Sequence, residues 1–131
     1  MLEILKKRIE EVSGKNCIAG FAADFPYITL TGNNIIIQPE SQESRTIGLN
    51  HRKEINRRVK LIYGRFNNKK TGSLEEVEWV EKFLSNLEKD RELLTHIINM
   101  DHQYLISIEK KDENDNTGYI VFQIYLDIKE R

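Results

Sequence analysis

The sequence predicts a single α+β domain: an antiparallel or mixed sheet with helices packed on one face, in the order α-β-β-β-α-β-β. Three observations carry this. In the stretch 73–87, SLEEVEWVEKFLSNL, Leu74, Val77, Val80, Leu84 and Leu87 recur three and four residues apart, one face of a helix that Trp79 and Phe83 widen. In 118–128, GYIVFQIYLDI, the period is two, with Ile120, Phe122, Ile124, Leu126 and Ile128 on one face and Tyr119, Gln123, Tyr125 and Asp127 on the other. The chain of 131 residues is one domain in size, long enough to bury roughly two-thirds of the surface its unfolded form would expose.

In chain order, residues 1–13 read as a helix. Leu2, Leu5, Ile9 and Val12 make a narrow apolar stripe among Glu3, Lys6, Lys7, Arg8, Glu10 and Glu11, suited to the rim of a core, and Gly14 is placed to end it. Residues 17–25 are small and apolar, and no period assigns them. Pro26 restricts Phe25 to extended geometry. Tyr27–Thr31 and Asn34–Gln38 then read as short strands joined across Gly32 and Asn33, residues that tolerate the positive φ of a tight turn. The run Ile35-Ile36-Ile37 is apolar on both faces, as in a strand covered on both sides or lying against a partner chain.

Residues 39–54, PESQESRTIGLNHRKE, are polar, contain Pro39 and Gly48, and follow no period. They predict a long mobile loop projecting from the sheet. Ile55–Phe66 alternates again, with Val59, Leu61 and Tyr63 opposite Arg58, Lys60, Ile62 and Phe66. Asn67–Gly72 leads into the central helix, where Ser73 and Glu76 have the spacing of a capping box. That helix frays through Glu88–Glu92, and Leu93, Leu94, Ile97 and Ile98 form another apolar patch. Gln103–Lys110 and Gly118–Lys129 close the chain as a hairpin across the acidic, Asn-rich 111–117.

Lys+Arg number 20 and Asp+Glu 21, a formal charge of −1 that commits the molecule neither to nucleic acid nor to an anionic membrane. No apolar run approaches the ~18–20 residues of a membrane span, and the first residues have no signal-peptide core. Cys17 stands alone, which excludes an intrachain disulfide and fits a reducing compartment.

No catalytic constellation emerges. Lys69-Lys70-Thr71-Gly72-Ser73 precedes a helix, but its lysines come before the glycine and the second glycine of a phosphate loop is missing. With Glu75 and Glu76 at the positive end of that helix, a capped turn is the simpler reading. His96 and His102 are six apart with Asp101 beside the second, lacking the i, i+4 spacing of a helical metal pair, and His51 lies in the polar stretch. They read as unrelated histidines, and Cys17 as a small buried hydrophobe. The sequence therefore implies no enzyme, no metal and no cofactor.

A charge segregation is the strongest remaining feature. From His51 to Lys70 the chain carries Arg52, Lys53, Arg57, Arg58, Lys60, Arg65, Lys69 and Lys70 against Glu54 alone. From Glu75 to Glu92 acids dominate. A solvated strand rim paired with the helix above it ranks first, head-to-tail assembly of basic strand on acidic helix second. Nucleic-acid contact ranks third, for want of an aromatic platform or a recognition helix. Arg45, Arg52, Lys53, Arg57, Arg58, Lys60 and Arg65 are the candidate interaction residues.

A short N-terminal helix, β-hairpins with a long polar segment, a strand ending RVKLIYGRF (58–66), the helix SLEEVEWVEKFLSNL and a closing hairpin ending GYIVFQIYLDI together resemble the tail terminator (minor capsid, tail-completion) proteins of long-tailed bacteriophages and prophages. The resemblance is one of element order, length and texture over nearly the whole chain. It implies a non-enzymatic α+β subunit that forms a ring, usually a hexamer, on the end of the tail tube. The ring stops tube growth and meets the head-completion protein, and DNA passes through its channel. It implies residence in the bacterial host cytoplasm during assembly, then in the virion, with 40–54 as the segment reaching a neighbour or the tube. The alternatives are a small α+β ligand-binding domain or enzyme with a loop-built site, and a nucleic-acid-binding module using 52–70.

Overall fold

A computed structural model describes residues 1–21, 31–48, 52–67, 74–110 and 118–131. The elements are α1 (Leu2–Ser13), β1 (Asn16–Ala19), β2 (Asn34–Ile47), β3 (Arg52–Asn67), α2 (Leu74–Glu88), α3 (Arg91–Leu94), β4 (Ile97–Lys110) and β5 (Gly118–Glu130). The described strands form a five-stranded mixed sheet in the order β1-β2-β3-β5-β4; β1 is parallel to β2 and every other pair is antiparallel. The α+β class and element order are as expected, with the one-turn α3 added.

The two periodicities meet in one core. Leu5 and Ile9 of α1, Val80, Phe83, Leu84 and Leu87 of α2, and Ile120, Phe122, Ile124, Leu126 and Ile128 of β5 are buried together with Val59, Leu61 and Tyr63 of β3. Gly14 ends α1 in the left-handed conformation at φ 70°, its N–H donating to the Glu10 carbonyl. The Arg8 guanidinium forks onto Asp90 at 2.7 and 2.8 Å and reaches Glu92 at 2.9 Å. Asp90 also caps α3 by accepting from the Leu93 N–H. The sharp break between α2 and α3 is thereby tied to α1, which seats against both.

The three isoleucines divide as their double-sided character requires. Ile35 and Ile37 enter the helix-covered core, and Ile36 joins Ile62 and Val121 in a small buried cluster on the opposite face.

Several expectations are corrected. Most of the polar stretch 39–54 is strand: 39–47 continues β2 and 52–54 opens β3, paired without a break from Ser41↔Arg58 to Ile47↔Arg52, and 49–51 lie outside the described residues. Every residue from Pro39 to Gly48 is exposed. A ribbon with no core against either face has no apolar alternation to display, so periodicity cannot reveal it. Pro39 is tolerated because Ile37 turns its carbonyl toward Gly20 on the β1 side. Pro39 turns its nitrogen to the same side, where β1 has already ended, so no ladder donor is lost. Glu40 is the extra residue of a bulge that reverses which face the following side chains take.

The strand preceding β2 is β1, at Asn16–Ala19. The expected partner Tyr27–Thr31 falls mostly outside the described residues, and Thr31 itself is not in a strand. Leu74, expected on the buried stripe, is 74% exposed. The helical period fixes the side of the helix, not how far the core runs beneath it. Ser73 lies outside the described residues, and the Glu76 carboxylate is turned to β3, where Tyr63 donates at 2.9 Å and Arg65 at 2.6 Å. The strand expected at Gln103 begins earlier, at Ile97.

Candidate interaction surface

Register alone builds the face that the helices leave uncovered. Beyond the Ile36–Ile62–Val121 cluster, successive rows across β2, β3, β5 and β4 hold Gln38, Lys60, Tyr125 and Gln103, then Ser41, Arg58, Asp127 and Asp101, then Glu43, Asn56, Lys129 and Asn99. The last two rows line a trough of about 350 Å³. Past Lys129 only β2 and β3 continue, as a two-stranded arm of four residue pairs ending at Ile47 opposite Arg52.

Most of the predicted basic residues find partners within the chain. Arg57 lies 3.5 Å from Glu130, and Arg58 lies 3.7 Å from Asp127 with its guanidinium 4.6 Å from the Tyr125 ring centre. Lys60 Nζ stands 5.7 Å from the same ring. Arg65 pairs with Glu76. At the base of the arm Glu54 holds both Lys129 (2.9 Å) and Arg45 (3.0 Å), and those two hydrogen bonds, Lys129 first, depress its pKa. Only Arg65 meets α2; the other partners come from β5 and from Glu54, acids too far along the chain, or too ordinary in spacing, for sequence to match them. Arg52 and Lys53 remain exposed at the tip, with no ion-pair partner among the described residues.

The acids divide likewise. Glu76, Glu81 and Glu88 are bound to Tyr63 and Arg65, to Tyr104, and to His102 respectively. Glu75 and Glu78 face solvent.

One half-buried polar cluster escaped sequence reasoning. Lys15 places its ammonium 4.6 Å from the Trp79 ring centre and 5.3 Å from that of Tyr63, and donates to the Gly32 carbonyl. Burial lowers the Lys15 pKa. Burial, then the bond to Glu76, raises that of Tyr63. The cluster clamps the end of α1 to the turn before β2 and the start of α2, a bracing role. Its one sequence signal is a lysine just past the Gly14 cap.

Cys17 is buried and burial pushes its thiol up to about 12, the condition of an inert core residue. Among the described residues no group of three or more His, Cys, Asp or Glu converges to hold a metal. His51 and residues 68–73, where the capped turn is expected, lie outside them. No described helix is long and apolar enough to cross a membrane. No protein-family model matches the chain, and no curated protein matches it.

Proposed function

We propose that this chain is a structural, non-enzymatic subunit of a phage or prophage head–tail junction: a ring-forming tail terminator that caps the tail tube and joins it to the head-completion protein. It assembles in the bacterial host cytoplasm and ends in the virion, with DNA passing through the ring. The observation that carries the reading is the arm. Four residue pairs, 44–47 with 52–55, extend past the strand pairing of β5, tied to it at the base by Lys129 on Glu54 and exposed at every residue of 44–47 and at Arg52 and Lys53. A two-stranded ribbon is marginal by itself in water, so a fold that maintains one has a use for it in contact with another molecule. Reach toward a neighbour or a tube is the use that the layout of the chain suggests.

The test mixes the purified protein with its cognate tube protein during polymerisation and measures tube lengths and end-caps by electron microscopy. Shortened tubes closed by a ring of this chain support the reading. Uncapped tubes of unchanged length, with turnover of a small molecule or tight DNA binding at physiological salt, overturn it.

A further inference from the structure

The two ends of β3 carry surfaces that suit each other and cannot meet within one molecule. At the arm tip Ile47 is 45% exposed and sits opposite Arg52, with Lys53 beside it on the other face of the ribbon. Glu54, the nearby acid, is already held by Lys129 and Arg45, so the tip presents an aliphatic side chain with two positive charges that no described acid pairs. At the opposite end, the first two turns of α2 present Leu74 with Glu75, Glu78, Glu81 and Lys82, all exposed. At about 100° per residue these five fall within an arc of roughly 120°, turned away from the buried Val80, Phe83 and Leu84. Among the described residues this face carries three acids and one base around an exposed leucine.

The start of α2 is fixed far from the arm. Glu76 is bound to Arg65, thirteen positions along β3 from Arg52 (65 − 52). An extended strand covers about 40 Å over that distance.

We propose that the arm tip of one copy seats on the outer face of α2 of a second copy, Ile47 against Leu74 and Arg52 and Lys53 against Glu75 and Glu78. The contact is heterologous: each copy that offers its arm still has a vacant helix face, so assembly continues head to tail until rotation closes a ring. It moves the charged contact from the strand body, where Arg57, Arg58 and Arg65 are already paired, to the tip. The inference rests on the reading of the chain as an assembly subunit, and not on what the assembly caps.

Disulfide trapping tests it without the tube. Cys17 is buried and unreactive, so surface cysteines at Lys53→Cys and Glu78→Cys report alone. Mixed under mild oxidation, the two single variants give a 53–78 linked dimer, and neither variant alone gives a comparable yield. A chain carrying both gives a ladder of linked oligomers that stops at a discrete size. Reversing the remaining tip charge with Arg52→Glu in the chain that carries both cysteines lowers the 53–78 yield about tenfold or more, and adding Glu75→Lys to the same chain restores it, since like charges brought together oppose docking and opposite ones recover it. Linkage of 53 to 53 or of 78 to 78 at the mixed rate, no 53–78 product, or no recovery in the charge-swapped chain overturns the proposal. Failure to cap tubes, with these links intact, strikes only the tail-terminator reading.

Discussion

Replacing Leu84 with alanine tests the helix-on-sheet core at a position where the magnitude can be worked out. Leu84 is 0% exposed and clustered with Val80, Leu87 and the β5 residues Phe122 and Ile124. Leu84→Ala removes three buried carbons, about 2.4 kcal/mol of transfer free energy at about 0.8 kcal/mol each. If about 50 Å³ stays unfilled, the cavity adds about 1 kcal/mol. The total is about 3–4 kcal/mol. Unfolding entropies of about 2.1 cal/mol/K per residue, taken over 131 residues, convert this to a fall in Tm of about 10–15 °C. Leu74→Ala is the internal control, because Leu74 lies on the same helix but is 74% exposed and should change stability by less than about 0.5 kcal/mol. Calorimetry on both variants decides the matter. A Leu84→Ala shift of only a degree or two, or equal shifts for the two leucines, would refute the packing of α2 against β5.

Two further outcomes follow from side-chain environments. The hydrogen bonds from Arg8, above all, hold the Asp90 carboxyl below its ordinary pKa. Its stabilising share is therefore complete at neutral pH, and is lost as pH falls through the ordinary carboxylate range to the depressed folded value. Asp90→Asn, which keeps an N-cap but loses the charge, should destabilise the protein at neutral pH and flatten the acid limb of a stability–pH curve; an unchanged limb counts against the Arg8–Asp90 tie. Cys17, with its thiol raised to about 12, should react with a thiol reagent only as fast as the protein opens, so labelling as rapid as that of free cysteine in the native state would contradict its burial.

What the sequence made legible were elements with one wet side and one dry side. α2 and β5 show their periods because a core lies against one face, and the isoleucine run at 35–37 shows two-sided cover because Ile36 is buried away from Ile35 and Ile37. β1 has four residues and pairs parallel with a strand further along the chain, a long-range fact that no local period contains. The arm is invisible for the opposite reason, being wet on both faces, and a polar strand then has the composition of a loop. The basic residues were visible as a run, but their partners were not. Asp127 and Glu130 look like ordinary polar positions of β5 until the register sets them beside Arg58 and Arg57.

That pairing bears on how any assembly of this chain is held. Charges at 57, 58 and 65 already matched inside the subunit add little to an external contact, because recruiting them to a neighbour means first breaking the internal pair. Exposed charges without a match incur no such cost, and among the described residues of β3 Arg52 and Lys53, at the arm tip, are exposed with no ion-pair partner. They stand outside the buried sheet, where salt screens them over a Debye length of ~8–10 Å. An interface built from them depends on ionic strength and is weak between two free copies. It gains from multivalency once several copies are held together, because each further contact then forms at a high effective concentration. An oligomer scarce in dilute solution and complete on a template is the behaviour this distribution of charge predicts.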